Sequence, residues 1–217
     1  VFDIDKDIPG WMSIKELFIL SSLANMCPVN GSILEIGCFL GRSTTALYKG
    51  KHTSVQLDVV DHFQKGEHAY YNKNKYKKYP LRPIPGDLKI YNEAIKIIKT
   101  HGWEEAFKFC VGEEIYNSLN VYPITSKEFK KNKSYDLVFI DGSHLYEDIF
   151  HDIKKYSGNN TLLIGDDFNF YYPDVSKAIN VLRNNRTLWV FENTKLWALI
   201  PKLGHWKDKF NSKMFLL

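Results

Sequence analysis

The chain reads as a doubly wound α/β fold, a mostly parallel seven-stranded sheet that ends in an antiparallel hairpin. Three observations predict it. Short apolar runs alternate with amphipathic helical segments along most of the 217 residues, as in successive βαβ units. The first run, Ile33-Leu34-Glu35-Ile36, leads into Gly37-Cys38-Phe39-Leu40-Gly41-Arg42-Ser43-Thr44, two glycines four apart and then a small-polar helix start. Glycine suits such a turn because it accepts positive φ and lets the backbone approach a ligand closely, and the free N–H groups of the next helix face the same place. The last two apolar runs are joined by only Glu192-Asn193-Thr194-Lys195, too short for a parallel crossover.

Taken in order, Ser13-Ile14-Lys15-Glu16 is a capping box, with Met12 and Leu17 as its hydrophobic staple. The helix it opens carries Leu17, Leu20, Leu23 and Ala24 on one face and stops before Pro28. Ile33–Ile36 is a buried strand, and Ser43–Lys49 is the helix behind it, ended by Gly50. Val55–Val60 is the second strand, closed by Asp61-His62. Leu88–Ile98 is helical, with apolar residues at 90, 94, 97 and 98. Phe107–Val111 reads as the third strand, closed by Gly112. Tyr135–Ile140 is the fourth, apolar throughout as in a sheet covered on both faces. Leu145–Ile153 is a helix, Thr161–Ile164 a fifth strand and Val175–Arg183 another helix. Thr187–Phe191 and Leu196–Ile200 form the hairpin.

The expected organisation is one domain over residues 1–217, interrupted at about 63–86. There, between Gln64 and Pro80, five lysines and four tyrosines occur almost without aliphatic residues, and Pro80, Pro83 and Pro85 follow. That composition makes an inserted loop or lid, not a core element; tyrosines and lysines could grip an anionic or sugar-bearing ligand, or the loop could simply be solvated. The tail from Gly204 to Leu217, with Trp206, Phe210 and Phe215, can pack on the domain or on a second copy, so a homo-oligomer stays open.

Composition narrows the class. The 29 Lys and Arg barely exceed the 25 Asp and Glu, short of the basic signature of a dedicated nucleic-acid binder. No apolar run approaches the ~18 residues of a membrane span, and the acidic start Val1-Phe2-Asp3-Ile4-Asp5 does not read as a signal peptide. Cys27, Cys38 and Cys110 fit neither a disulfide framework nor a zinc pattern. Free thiols in a reducing compartment are expected, with the cytoplasm as the default.

The turn, Glu35-x-Gly37-x-x-x-Gly41, on a Rossmann-like sheet with a terminal hairpin resembles the class I S-adenosylmethionine-dependent methyltransferases. Three further stretches sharpen this: Pro9-Gly10-Trp11-Met12-Ser13, Phe139-Ile140-Asp141-Gly142-Ser143-His144-Leu145-Tyr146-Glu147-Asp148, and Ile164-Gly165-Asp166-Asp167-Phe168. They are similar to a branch of bacterial O-methyltransferases of the macrolide-sugar (macrocin) type, distant cousins of catechol O-methyltransferase. The resemblance implies that the first turn (Glu35, Gly37, Gly41) holds the methionine end of the cofactor and that Asp61 binds the ribose hydroxyls. Ser43, Gly112 and Asp141 are counted with the same cofactor-binding set. A carboxylate can indeed accept from both hydroxyls of a vicinal diol.

Asp141, Asp166 and Asp167 follow strands that open onto the cleft at the carboxyl edge of the sheet. Strands lie ~4.8 Å apart, so these like charges repel unless a proton or cation relieves them. An oxygen-only set suits Mg²⁺ or a similar hard divalent ion, and some members of the resembled family bind a metal there. The plainer alternative makes Asp141 a helix cap. His144, three residues past Asp141, is the candidate general base for a hydroxyl attacking the methyl group, or else a neighbour of the helix start. The expected activity is O-methylation of a small molecule or sugar, Mg²⁺-assisted, with Asp141 and His144 catalytic. The rivals are a metal-free N- or O-methyltransferase and a non-catalytic RNA-binding module using the Lys/Tyr tract. A nicotinamide-dependent oxidoreductase would want Gly-x-Gly-x-x-Gly, and the turn here is Gly-x-x-x-Gly.

Overall fold

The computed structural model describes residues 7–63, 86–130, 133–183 and 186–211. The tract at 64–85 and Phe215 lie outside the described residues. In chain order the elements are α1 (Ile14–Asn25), β1 (Ser32–Ile36), α2 (Arg42–Gly50), β2 (Gln56–Val60), α3 (Leu88–Thr100), α4 (Trp103–Val111), α5 (Glu113–Ser118) and β3 (Asn120–Tyr122). They continue with β4 (Leu137–Ile140), α6 (Tyr146–Tyr156), β5 (Leu162–Gly165), α7 (Pro173–Leu182), β6 (Arg186–Val190), β7 (Trp197–Pro201) and α8 (His205–Asn211).

The seven strands form one sheet in the order β3-β2-β1-β4-β5-β7-β6. β1 to β5 pair in parallel, and β7 pairs antiparallel with both β5 and β6. Alternate side chains of the central strands enter two apolar layers. Ile33, Leu137 and Phe139 join one; Leu34, Ile36, Val138 and Ile140 join the other. This two-sided burial explains why β4 reads as an unbroken apolar run and β1 as one broken only by Glu35.

The capping box at α1 is present, with Ser13 Oγ accepting from the Glu16 N–H at 3.3 Å and Glu16 Oε2 accepting from the Ser13 N–H at 2.7 Å. Met12 and Leu17 are both buried in the same cluster. The tail expectation holds for α8: Trp206 is buried, and its Nε1–H donates to Asp136 O at 2.8 Å.

One element departs from expectation. Phe107–Val111 is not the third strand but the end of helix α4, and the third strand is the three-residue β3 at the sheet edge. Phe107 and Val111 are four apart, and both lie against Gly41. A short apolar run can serve either period, and only its packing partner decides. β3 is half-buried along its whole length, so it carries no apolar signature.

Candidate active site

Four backbone hydrogen bonds extend the parallel ladder one step beyond the strand ends. Asp61 N–H donates to Tyr122 O, Gly37 N–H to Val60 O, Asp141 N–H to Ile36 O, and Asp166 N–H to Ile140 O, at 2.8–3.3 Å. Asp61, Gly37, Asp141 and Asp166 therefore stand in a row along the carboxyl edge. The chain leaves β1 for β2 on one side and places β4 on the other, so Gly37 and Asp141 flank the topological switch point where open α/β sheets bind ligands.

The first turn is tightly packed protein. Gly37 has φ +82°, and a Cβ there would lie 2.5 Å from Gly142 Cα and 2.6 Å from Asp141 O. Gly41 has φ +89°, and its Cβ would lie 2.1 Å from Val111 Cγ1. Both glycines are thus required by handedness and by the neighbouring backbone or helix α4.

Glu35 is fully buried. Its Oε1 accepts from Ser43 Oγ–H at 2.5 Å, and its Oε2 has no hydrogen-bond partner among the described residues. Burial pushes its pKa up to about 7 against the opposing pull of the Ser43 hydroxyl. Asp61 is also buried, and its carboxylate braces the turn: Oδ2 accepts from the Cys38 N–H at 2.9 Å, and Oδ1 accepts from the Phe63 N–H at 2.9 Å. Oδ2 also accepts from the Phe39 N–H at 3.4 Å and the Cys38 thiol at 3.6 Å, so the lone pair left for a ligand hydroxyl is on Oδ1. Phe39, at φ +50° in the turn, lies between Trp11 and Trp103, with ring centroids 5.2 and 5.7 Å away.

Gly112 sits between α4 and α5, not after a strand, because the run before it is helical.

Across the switch point the acidic residues meet an imidazole and an ammonium. His144 Nε2 lies 2.5 Å from Asp167 Oδ2, and the imidazole stacks on Tyr172 at 4.2 Å and 18°. Lys195 Nζ lies 2.5 Å from Asp166 Oδ2 and 3.2 Å from Asp167 Oδ1. Burial raises the Asp166 pKa to about 6, against the pull of Lys195. Burial also works to raise Asp167, but the His144 hydrogen bond and Lys195 hold it below the usual carboxylate range. Burial, then Asp166 and Asp167, push Asp141 well up. Burial alone would lower the Lys195 ammonium, yet the two carboxylates beside it outweigh that and keep it charged.

Neither Lys195 nor Tyr172 was singled out by the sequence. Both lie in connecting segments whose partners depend on how strands and helices dock. Among the described residues, the ligand-type atoms that converge within 4.8 Å belong to Asp141, His144 and Asp167. Asp166, expected in that set, is turned to Lys195 instead.

The residues suit the two expected groups unequally. S-adenosylmethionine fits the β1 side, where a buried Glu35 oxygen lacks a partner beside the turn. A divalent ion fits poorly. Both Asp167 oxygens and one of Asp166 are spent on Lys195 and His144, and the cavity lined by Asp141, His144 and Asp166 measures about 10 Å³, room for about one water molecule. A larger cavity of about 520 Å³ is bordered by Met12, Arg42 and Asp87 and reaches none of these acids.

The strand order, the turn after β1 and the reversed last strand define a Rossmann-like methyltransferase fold. The chain belongs to the family described as a methyltransferase domain, which matches residues 34–168. It is a methyltransferase-domain protein. Its fold is similar to that of an O-methyltransferase from Bacillus cereus in complex with SAH (14% identity, 88% of this chain and 82% of that one, TM-score 0.52). It is also similar to a protein from Corynebacterium glutamicum (12%, 91% and 85%, TM-score 0.60) and to an S-adenosylmethionine-dependent O-methyltransferase from Thermotoga maritima (8%, 90% and 68%, TM-score 0.53). No curated protein matches the sequence. No helix among the described residues is long and apolar enough to cross a membrane.

Proposed function

We propose that the chain methylates a hydroxyl of a small molecule or sugar, with His144 taking the hydroxyl proton and Asp167 holding the imidazole. The observation that carries this reading is the 2.5 Å contact between His144 Nε2 and Asp167 Oδ2. A proton on Nε2, donated to the carboxylate, leaves the lone pair on Nδ1, the tautomer a base needs. S-adenosylmethionine supplies a methyl group already activated on a sulfonium. What remains for the protein is to place and deprotonate the acceptor. With S-adenosylmethionine bound, its methyl group would pass from sulfur to the acceptor oxygen, and His144 would take the acceptor's proton. Glu35, Gly37, Gly41, Ser43 and Asp61 are the cofactor side of this scheme; Asp141, at the switch point, faces both halves.

The test is incubation with S-adenosylmethionine and a panel of hydroxylated small molecules and sugars, read by mass spectrometry for one added methyl. Calorimetry with S-adenosylhomocysteine reads the cofactor half separately. A folded protein that binds no cofactor would sink the proposal.

Mg²⁺ assistance is the second reading, favoured by the convergence of Asp141, His144 and Asp167 within 4.8 Å. It requires Lys195 to withdraw and turns His144 from base to ligand. A macrocin-like acceptor accords with the sequence resemblance, and a cytoplasmic setting with the free thiols of Cys27, Cys38 and Cys110. RNA binding rests on the tract at 64–85, outside the described residues, and steep salt dependence would be its mark.

A further inference from the structure

We propose that Lys195 is a built-in cation, standing where the strand-end carboxylates would otherwise need a divalent ion, and that it makes this site metal-independent. The placement is over-determined. β5 and β7 pair antiparallel with Gly165 opposite Trp197; continuing that register sets Lys195 beside Asp167, and Phe168 N–H donates to Lys195 O at 2.9 Å. From the other side, buried Glu16 at the start of α1 accepts the Lys195 N–H on Oε1 at 2.8 Å, and Lys15 Nζ donates to Glu192 O at 2.7 Å. The hairpin turn is therefore held at both ends.

The ammonium bridges two carboxylates, with Nζ at 2.5 Å from Asp166 and 3.2 Å from Asp167. An ammonium is a compact point charge with three donors, so it can neutralise two acids as an ion would, but it opens no position for a substrate oxygen. Lys195 is thus a positioning residue. It fixes Asp167, and through Asp167 it fixes His144. A divalent cation approaching Asp141, Asp166 and Asp167 must displace a positive charge that the same carboxylates hold.

The inference calls this a metal position on the strength of the methyltransferase reading, but its test uses neither cofactor nor acceptor. The probe is Mn²⁺ alone, titrated into the chelator-treated protein and followed by the loss of the free-ion EPR signal. Wild type should leave the signal intact, and Lys195→Ala should bind Mn²⁺ ~100-fold tighter or better, the scale of removing one unit charge a few ångströms from a partly buried site. Lys195→Arg, which keeps the charge, should stay blind to Mn²⁺. If Lys195→Ala does not fold by circular dichroism, Lys195→Gln, which keeps most of the stem, takes its place. Saturable Mn²⁺ binding by wild type overturns the proposal. So does failure of the folded neutral variant to gain binding, since the lysine would then occupy no cation position.

Discussion

The two halves of the cleft neutralise their acids by different means. On the β1–β2 side, Glu35 and Asp61 meet a hydroxyl and backbone N–H groups. On the β4–β5 side, Asp166 and Asp167 meet Lys195 and His144. The first arrangement leaves Glu35 close to protonation at neutral pH; the second keeps Asp167 firmly ionised. Each half holds an acid that burial raises towards neutrality, Glu35 in one and Asp166 in the other, so the first should answer to backbone packing and the second to changes of side-chain charge. Burial is common to both, so the nature of the partner makes the difference.

The largest expected effect tests the charged half. His144→Ala should lower turnover by ~10²–10⁴-fold, the range for a lost general base, while the dissociation constant for S-adenosylhomocysteine stays near wild type. Asp167→Asn should fall in the same direction with a smaller loss, because the ring keeps a partner but not the charge. An alanine variant with normal turnover would demote His144 to a loop residue. One that loses cofactor affinity would erase the division between the halves.

Glu35 tests the other half. The folded protein holds its proton up to about pH 7, whereas an ordinary glutamate releases it near 4.5. Folding therefore takes up a proton between those values. The stabilising contribution is fully present below pH 4.5 and is lost as pH rises through 7, roughly 3 kcal/mol in all. Glu35→Gln cannot titrate, so its thermal stability relative to wild type should improve from pH 5 to about pH 7 and level off above that. Parallel curves would mean that Glu35 is ionised throughout.

Gly41→Ala should cost roughly 2–3 kcal/mol, combining an unfavourable positive φ with overpacking. The obstacle is named: Val111 Cγ1, at 2.1 Å from the would-be Cβ. The double variant with Val111→Ala should recover part of the loss beyond additivity. Strict additivity would place the cost in the backbone alone.

How far the sequence could lead varies with the residue. β4 and β5 were legible because both of their faces are buried and a short apolar run has few other uses in an α/β chain. β1 and β2 were legible as otherwise apolar runs, interrupted by Glu35 in β1 and by Gln56 and Asp58 in β2. The hairpin was legible from loop length. The third strand was not, since β3 is short and half-buried while α4 imitates a strand in composition. In the site, Asp141, Asp166 and Asp167 could be found as strand-end acids. Lys195 could not, because it meets Asp167 only through the β5–β7 register, and register is not written in a lysine. In the glycine turn the positive φ was legible from the spacing, while the crowding by Asp141, Gly142 and Val111 was not.

The smallest effect is the most diagnostic for Asp61, which serves the fold and, in the proposed scheme, the cofactor. Asp61→Asn keeps the size but offers one acceptor in place of two. The amide oxygen can take the Cys38 N–H or the Phe63 N–H, now at 2.9 Å each, and the amide NH₂ then faces the other donor. Leaving one N–H unmet costs about 1–3 kcal/mol of stability. Binding should suffer less, because the amide can still engage one ribose hydroxyl as acceptor and the other as donor. A ~5–10-fold rise in the dissociation constant for S-adenosylhomocysteine, about 1 kcal/mol, is expected. Calorimetry reads that value, and chemical denaturation of the unliganded protein reads the stability. Loss of stability with unchanged affinity would make Asp61 a brace for the first turn and nothing more. Loss of both in these proportions would mark it as the residue where the fold and the cofactor share one carboxylate.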